Sequence, residues 1–256
     1  MSMKIIISPA KKIDNSKNKN NINFSDAFFL EKAKKLVEIL QDFSPTELSK
    51  LMGISNNLGL LNADRYINWS LPFNQGNAKQ AILTFQGDVY QGIDVDDFNK
   101  KDFDFAQKHL RILSGLYGIL KPLDLIQAYR LEMSTKLKTD KGNNLYHFWG
   151  NSLTEHMAKE IIRDKDTCLV NLASKEYSKV LKINKLGSRI ITPVFKDFKN
   201  GQFKIISFFA KKARGRMCRF IIKNKLTSSN ALHKFKDNGY AFDKKLSTDS
   251  EFVFVR

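Results

Sequence analysis

The stretch Met-Lys-Ile-Ile-Ile-Ser-Pro-Ala-Lys-Lys, residues 3–12, decides the fold class of this 256-residue chain. Its apolar run, Met3–Ile7, predicts a buried β-strand, because a short continuous apolar run that ends in turn residues is typical of such strands. Ser8 and Pro9 end the strand with a turn. Loops that follow strands in α/β proteins commonly line ligand sites. The Ser8 hydroxyl and Lys11 are therefore candidates to bind a phosphate or carboxylate, and an exposed turn is the alternative.

A second apolar run, Thr167–Leu172, predicts another strand, which is followed by a helix from Ser174. Polar residues gather where this strand ends, and Ser174 or the nearby glutamate can cap the helix. Arg130 and Glu132 are two residues apart, so on a strand they would share a face, where they could orient a ligand or only pair with each other. The candidate ligand cleft comprises Ser8, Lys11, Arg130, Glu132, Asn171 and Ser174.

Helices and strands alternate along the rest of the chain. The predicted helices cover residues 25–41, 45–52, 57–69, 102–113, 151–163 and 210–224. The predicted strands cover residues 80–85, 189–195, 202–209, 240–242 and 251–255, with Asn200-Gly201 as a hairpin turn. A polar loop is predicted at 14–23. Without a linker or a repeat, this order predicts one mixed α/β domain over residues 1–256, with a mixed sheet whose strand order the sequence leaves open.

The segment Leu-Ser-Gly-Leu-Tyr-Gly-Ile-Leu-Lys-Pro-Leu-Asp, residues 113–124, follows a predicted helix and carries two glycines. Pro122 fits the first turn of a second helix, so the segment predicts a helix-hairpin-helix-like element whose backbone N–H groups approach a phosphate. Such hairpins usually have glycines two apart, whereas these are three apart, and a glycine-capped turn is the alternative. The residues expected to contact DNA here are Gly115, Leu116, Tyr117, Gly118 and Lys121.

The chain is strongly basic, with 43 Lys and Arg against 26 Asp and Glu and a net charge of +17. This excess favours a phosphate-rich partner such as nucleic acid, a nucleotide or an anionic membrane, and a basic bias of the whole proteome is the alternative. Between Asp197 and Asp237 there are eleven basic residues and no acidic residue. Residues 51–100 hold three basic residues and five aspartates. The surplus charge therefore lies in the last quarter of the chain.

Four basic residues of the predicted helix 210–224 fall on one side of it, which we call the basic stripe: Lys212, Arg216, Arg219 and Lys223. No acidic residue on the helix can pair with them. We therefore expect this stripe to contact DNA phosphates, and a solvated helix face is the alternative.

Other residue patterns exclude several classes of protein. The two cysteines form no CxxC pair and the four histidines have no metal-ligand spacing, so neither a disulfide framework nor a metal site is expected. No apolar run reaches the roughly 18 residues of a membrane span, and the first residues are too briefly apolar for a signal peptide. We expect a cytoplasmic protein with no cofactor and no membrane partner. No catalytic constellation is evident.

Six motifs resemble those of the YaaA family of bacterial peroxide-stress proteins over nearly the whole chain. They are Ile-Ser-Pro-Ala-Lys (7–11), Phe-Asp-Phe-Ala-Gln (103–107), the glycine segment (113–124), Tyr-Arg-Leu-Glu-Met (129–133), Asn-Leu-Ala-Ser-Lys-Glu-Tyr (171–177) and Phe-Lys-Ile-Ile-Ser-Phe-Phe-Ala-Lys-Lys-Ala-Arg-Gly (203–215).

The resemblance implies a single α/β domain with a positively charged cleft and a helix-hairpin-helix element that binds duplex or branched DNA. It also implies a role in limiting intracellular iron and peroxide damage, and no established catalytic activity. On this basis Lys211, Lys212 and Arg214 join the expected DNA contacts, and 115–118 is the expected hairpin. The leading hypothesis is therefore sequence-independent DNA binding. The alternative is an enzyme that acts on a nucleotide, a nucleic acid or another phosphorylated substrate in the same cleft.

Overall fold

The computed structural model describes residues 2–14, 16 and 22–256. Its strands are β1 (Ser2–Ile7), β2 (Lys12–Ile13), β3 (Lys79–Gln80), β4 (Phe85–Gln86), β5 (Leu110–Ser114), β6 (Gly118–Leu120), β7 (Leu125–Ile126), β8 (Asp166–Asn171), β9 (Arg189–Lys199), β10 (Gln202–Lys204), β11 (Ala241–Phe242) and β12 (Glu251–Val255). Its α-helices are α1 (Leu30–Gln41), α2 (Pro45–Met52), α3 (Asn56–Ile67), α4 (Ala81–Thr84), α5 (Asp88–Ile93), α6 (Lys100–His109), α7 (Leu145–Trp149), α8 (Ser152–Arg163), α9 (Lys175–Ser178) and α10 (Ser207–Lys223).

A mixed sheet of eight strands forms the centre of the fold, in the order β11-β12-β9-β8-β1-β5-β6, with β10 paired to β9. The five strands from β12 to β5 are parallel, and β11, β6 and β10 are antiparallel to their neighbours. In β1, Ile5 pairs with Leu110 on one side and with Val170 on the other. The predicted α/β fold class is confirmed, and the carboxyl ends of β1, β5 and β8 meet at one edge of the sheet.

Strand β1 is central because its apolar residues can be covered on both faces. Met3, Ile5, Ile6 and Ile7 are completely buried. Lys4 is buried too, and its ammonium group contacts Asp164 at 2.5 Å. A buried strand flanked by two parallel strands reads as a continuous apolar run rather than an alternating one, which is why the first residues predict it correctly.

The predicted helix-hairpin-helix at 105–124 is wrong. The helix stops at His109, and Leu110–Ser114 continues as β5, which pairs with β6 in an antiparallel hairpin. The turn between these strands is inside the protein: Leu116 and Tyr117 are completely buried, and Gly118, at a φ of 71°, packs against Trp149. The apolar run suits a helix or a buried strand equally by its pattern, and pairing with β1 makes it a strand.

Other local predictions met different outcomes. The helix predicted at 45–52 is confirmed as α2, which begins with a capping box of Ser44 and Glu47, and the hairpin turn at Asn200-Gly201 is confirmed too. The strand predicted at 80–85 is wrong, because four of those residues form α4. The helix predicted from Ser25 begins at Leu30, since the Ser25 hydroxyl instead donates to Asp124. The strand predicted at 202–209 ends at Lys204. Most of the loop predicted at 14–23 lies outside the described residues.

Candidate functional site

A cleft of about 480 Å³ opens at the edge of the sheet where β1 and β8 end. Ligands of open α/β sheets bind at this edge, where the loops that follow the parallel strands diverge. Five segments supply the polar residues that we call the cleft residues: Ser8, Lys11, Lys12, Gln86, Asp88, Tyr90, Tyr129, Arg130, Glu132, Ser174, Glu176, Tyr177, Lys211 and Arg214. Its volume is in the range of about 300–1,000 Å³ that holds a small ligand or a nucleotide.

Ser8 and Ser174 fix the floor of the cleft to each other. The Ser8 hydroxyl accepts a hydrogen bond from the backbone N–H of Ser174 at 2.9 Å and donates to the Ser174 hydroxyl at 3.3 Å. The Tyr90 hydroxyl donates to the carbonyl oxygen of Ser8 at 3.1 Å. Because β1 and β8 are paired in parallel, the residues that follow them come together although they are 166 positions apart.

Glu132 lies between two cations on one wall. The Lys11 ammonium contacts one carboxylate oxygen at 2.9 Å, and the Arg130 guanidinium contacts the other at 3.5 Å. The Arg130 Nε atom is buried and has no hydrogen-bond partner in the described part of the chain. One carboxylate therefore serves two positive groups, and Arg130 retains an unused donor.

Glu176 is a second acidic group that lines the cleft. Its carboxylate accepts hydrogen bonds from the backbone N–H of Ser134 at 3.0 Å and from the Ser134 hydroxyl at 2.8 Å. Beside it, burial is the main reason why the pKa of Tyr177 is raised far above its usual value, and the charge of Glu176 adds to the effect. The Tyr177 hydroxyl therefore stays neutral, and Glu176 is held in place by the segment that carries Glu132.

Two glycines let α10 approach the cleft. A Cβ atom on Gly215 would lie 1.9 Å from the carbonyl oxygen of Val89, and one on Gly92 would lie 2.3 Å from the carbonyl oxygen of Lys212. Helices α5 and α10 thus pack with their backbones in contact, which only residues without a side chain allow. Lys211 and Arg214 of α10 line the same cleft as Asp88 and Val89, with which α5 begins.

Arg214 differs from most cations of the molecule. It is half-buried, it lines the cleft, and it has neither an ion pair nor a hydrogen bond with any described residue. Desolvation by burial lowers the pKa of its guanidinium, and no carboxylate counteracts that effect. An arginine side chain is a donor on all five of its N–H groups. A half-buried arginine without an acceptor is a site that an anionic ligand can complete.

Five of the six residues predicted for the ligand cleft do line it, and Asn171 does not. The Asn171 side chain donates to the Thr192 hydroxyl at 3.4 Å and accepts from the backbone N–H of Ala173 at 3.1 Å. It shapes the loop after β8 instead of facing the cleft. Lys121 lies elsewhere too, because it follows β6, which runs antiparallel to β5 and ends at the other edge of the sheet.

The basic stripe is not the free surface that its spacing predicts. Arg216 contacts Asp237 at 2.5 Å, and Arg219 contacts Asp97 at 2.6 Å. Lys223 lies 3.1 Å from Asp102. We call Arg216, Arg219 and Lys223 the paired stripe. Its carboxylates come from segments outside the helix, so the sequence of the helix alone does not reveal them. Lys212 has no carboxylate partner among the described residues, but it does not line the cleft.

The charge of Asp102 shows how firmly the paired stripe is held. Burial acts to raise the pKa of Asp102, but hydrogen bonds from Lys225, the Asn99 backbone and Lys223 outweigh burial and lower this pKa to about 2. Asp102 also completes the capping box that begins α6. Lys223 of the paired stripe is thus part of the contact between α10 and α6, while Arg216 and Arg219 pair with carboxylates outside α6.

Sequence reasoning missed the acidic and aromatic cleft residues Asp88, Glu176, Tyr90, Tyr129 and Tyr177. Glu176 and Tyr177 follow Ser174 directly, so the predicted loop after β8 was a signal for both. Asp88 and Tyr90 carried no such signal, because their place depends on the contact between α5 and α10. In the described part of the chain no group of three or more His, Cys, Asp or Glu side chains could hold a metal ion. No described helix is both long and apolar enough to cross a membrane.

Comparison with known proteins places the chain in a family. The family model described as peroxide stress protein YaaA matches residues 3–246. A UPF0246 protein of Colwellia psychrerythraea is 52% identical over 254 residues, which cover 99% of both chains. A UPF0246 protein of Teredinibacter turnerae is 50% identical over 254 residues, again covering 99% of both chains. The chain therefore belongs to the family of the peroxide stress protein YaaA.

Proposed function

We propose that this protein binds the phosphate backbone of DNA in its cleft during the response to peroxide. The observation that carries the proposal is Arg214, a half-buried guanidinium that lines the cleft without an acceptor. Arginine binds phosphate oxygens through paired N–H donors, and each phosphate that replaces a counterion favours binding. A phosphate beside Arg214 would supply the acceptor that the fold does not provide.

Charge balance around Arg214 supports an anionic ligand. The cleft residues include five cations, Lys11, Lys12, Arg130, Lys211 and Arg214, against three carboxylates. Two of these cations, Lys11 and Arg130, share one carboxylate, and Lys211 has none within the described residues. These cations come from three separate parts of the chain and meet at one cleft, where the phosphates of a nucleic-acid backbone can replace their counterions.

The helical hairpin of α2 and α3 gives a second contact in this proposal. Gly53 ends α2 in a left-handed conformation, and the Ser55 side chain caps the start of α3, where Ser55 is exposed. The Tyr66 hydroxyl, on α3, donates to the carbonyl oxygen of Arg130 and so ties the hairpin to the cleft wall. We propose that 45–67, rather than 105–124, is the helix-hairpin-helix-like element, because its exposed backbone N–H groups can approach a phosphate.

The deciding experiment compares two variants that remove the same charge. The cleft variant is Lys11→Ala/Lys211→Ala/Arg214→Ala, and the matched control is Arg216→Ala/Arg219→Ala/Lys223→Ala. Fluorescence anisotropy measures their binding to a linear duplex and to a four-way junction across a salt series. We expect the cleft variant to lose at least about two units of the slope of log affinity against log salt, since Lys211 and Arg214 are unpaired and each lost phosphate contact removes roughly one. The control should keep the parental slope.

The proposal fails if the two variants lose affinity equally, because binding then follows net charge alone. It also fails if the cleft variant binds both DNA forms as tightly as the parent. Circular dichroism and thermal unfolding of each variant establish that folded protein is compared.

The family resemblance links this binding to iron and peroxide. We propose that protein bound along the backbone shields DNA from radicals that iron generates from peroxide. Plasmid nicking by ferrous iron and hydrogen peroxide should be slower with the parent than with the cleft variant at equal protein concentration. Equal nicking would contradict the shielding role and leave DNA binding standing.

A second candidate function is an enzyme that acts on a phosphorylated substrate such as a nucleotide. It is favoured by the convergence of a hydroxyl pair, Ser8 and Ser174, with the carboxylates Glu132 and Glu176 in a cleft of nucleotide size. Such groups can move a proton while cations hold the phosphate. Incubation of parent and Glu132→Gln protein with nucleotides and nicked or abasic DNA tests this candidate. Product formed by the parent and not by the variant would favour catalysis.

A further inference from the structure

Four exposed phenylalanines stand at the start of α10 and on the hairpin before it. Of the six phenylalanines that are exposed in the described part of the chain, Phe198, Phe203, Phe208 and Phe209 fall within twelve residues. We call them the aromatic patch. Phe198 and Phe203 pair across β9 and β10 with ring centroids 5.3 Å apart. Phe208 and Phe209 contact each other at 5.6 Å. Exposed aromatic rings in this number are unusual for a surface that touches only water.

Lysines that the described fold does not neutralise lie next to the patch residues in the sequence. Lys199, Lys204 and Lys211 are exposed and have no ion pair with any described residue. Asp197, the nearest carboxylate in sequence, is buried and already contacts Arg256 at 2.5 Å and the Tyr240 hydroxyl at 2.8 Å. A partner that covers the patch must therefore bring both flat apolar groups and negative charge.

The position of the patch connects it to the cleft. Phe208 is 54% exposed and lies one helical turn before Lys211, which lines the cleft. Phe203 and Phe208 are five residues apart, so their Cα atoms lie within about 17 Å. A polymer whose phosphates lie at the cleft therefore meets the rings within a short distance.

We propose that the aromatic patch stacks the unpaired bases of a single-stranded segment of nucleic acid whose phosphates lie at the cleft. This inference rests on the proposed function and adds to it that part of the bound nucleic acid is single-stranded. In a duplex the faces of the bases are covered by their neighbours, whereas in a single strand they are free to stack on aromatic rings. Exposed rings interleaved with unpaired lysines are the combination that such a strand requires.

Binding of a fluorescein-labelled 20-nucleotide oligo(dT) and of a 20-base-pair duplex tests the inference. The variant is Phe198→Ala/Phe208→Ala, and the matched control is Phe24→Ala, which removes an exposed phenylalanine (49% exposed) elsewhere. Each stacked base is worth roughly 1–3 kcal/mol, so we expect the double variant to bind oligo(dT) at least about tenfold more weakly than the parent. Its affinity for the duplex, and both affinities of the control, should change less than about threefold.

A second variant reports stacking directly, so the test does not depend on whether the alanine variant folds. Phe208→Trp places an indole in the patch, and stacking of a base should quench its fluorescence when oligo(dT) is added. The response is taken as the difference from the parent, whose tryptophans Trp69 and Trp149 are buried. Quenching that is absent at saturating oligo(dT) overturns the inference.

The remaining outcomes separate this inference from the proposed function. If the parent binds both DNA forms and the double variant binds oligo(dT) unchanged, the stacking role is wrong and DNA binding at the cleft stands. If the parent binds neither form, both are wrong. If the double variant keeps its nucleic-acid affinity but changes from an oligomer to a monomer in sedimentation, the patch is an interface between copies of the chain and the stacking role is wrong.

Discussion

Two faces of α10 carry positive charge, and the fold uses them differently. On one face, the paired stripe contacts carboxylates of distant segments at 2.5–3.1 Å and fastens the helix to its neighbours. On the other, Lys211 and Arg214 line the cleft without a partner in the described chain. Arg214 and Arg216 are both arginines and are only two residues apart, so the sequence alone does not distinguish their roles. Only the carboxylates that surround each face separate a structural cation from one that can take a ligand.

The largest expected effect is a loss of stability when α10 is forced away from α5. Without this contact the two faces of α10 would no longer have different surroundings. Gly215→Ala places a Cβ atom 1.9 Å from the carbonyl oxygen of Val89, and backbone cannot move as a flexible side chain does. We expect the free energy of unfolding to fall by about 3 kcal/mol. Urea unfolding of Gly76→Ala is the control, since the new Cβ would meet only the Asn74 side chain, at 3.0 Å. Equal stability of the two variants would mean that the helices repack freely.

The second effect tests the paired stripe through Asp102. Because the pKa of Asp102 is lowered to about 2 in the folded protein, its ionised form stabilises the fold above its ordinary pKa of 3.8, and this contribution is lost as pH falls from there toward 2. Asp102→Asn should lower the free energy of unfolding at pH 7 by about 2 kcal/mol. It should also flatten the dependence of stability on pH between about 4 and 2.

Urea unfolding at a series of pH values measures both changes. Asp104→Asn, on the exposed side of the same helix, is the matched control. Should Asp104→Asn alter stability as much as Asp102→Asn, the effect would come from the charge of the helix and not from its pairing with α10.

The cleft and the paired stripe also differ in how far the local sequence predicts them. The apolar runs of β1 and β8 are buried on both faces, so their pattern alone identifies them, and with them the loops that carry Ser8, Lys11 and Ser174. The ends of parallel strands meet wherever the strands pair, which brings these residues together. Ser8, Lys11 and Ser174 follow from that rule, whereas Arg130 and Glu132, which also line the cleft, lie on a segment that continues no parallel strand.

The pairing of the stripe follows no such rule. Asp97 and Arg219 are 122 positions apart in sequence and meet only because α10 packs against the segment before α6. Residues 51–100 carry more acidic than basic residues and residues 198–236 carry only basic ones, but nothing in either block indicates that the two pair with each other. The helix-hairpin-helix prediction around Gly118 is wrong for a related reason. Its apolar run fits a helix or a strand, and the deciding partner, β1, lies more than a hundred residues away.

The third effect compares the replacement of one arginine on each face of α10. Arg214→Met keeps the apolar stem and removes a desolvated charge that has no partner, so the free energy of unfolding should stay the same or rise by up to about 1 kcal/mol. Arg219→Met removes contacts with Asp97 and with the carbonyl oxygen of Ile93, and should lower it by about 1 kcal/mol. Thermal unfolding at equal salt compares them. Loss of stability in Arg214→Met would mean that Arg214 is structural.

The smallest expected effect is a gain in DNA affinity when part of the paired stripe loses its carboxylate partners. The charge of Asp97 is held by a hydrogen bond from Arg219, which lowers the pKa of this carboxyl, and Asp94 lies 4.0 Å from the same guanidinium. Asp94→Asn/Asp97→Asn leaves Arg219 without its carboxylates and deprives Lys223 of one of its two. If partner carboxylates are what distinguish the two faces, DNA affinity should rise roughly threefold and the salt slope should steepen by about one unit.

Anisotropy with the same duplex and salt series measures this gain, and Asp64→Asn/Asp140→Asn, which removes two exposed carboxylates that form no ion pair with α10 in the described part of the chain, is the control. A rise of the same size in both variants would reflect net charge alone. A gain confined to the first variant would mean that the acidic segment 94–97 masks one face of a helix whose other face stays available, so that the folded chain concentrates its excess charge at the cleft.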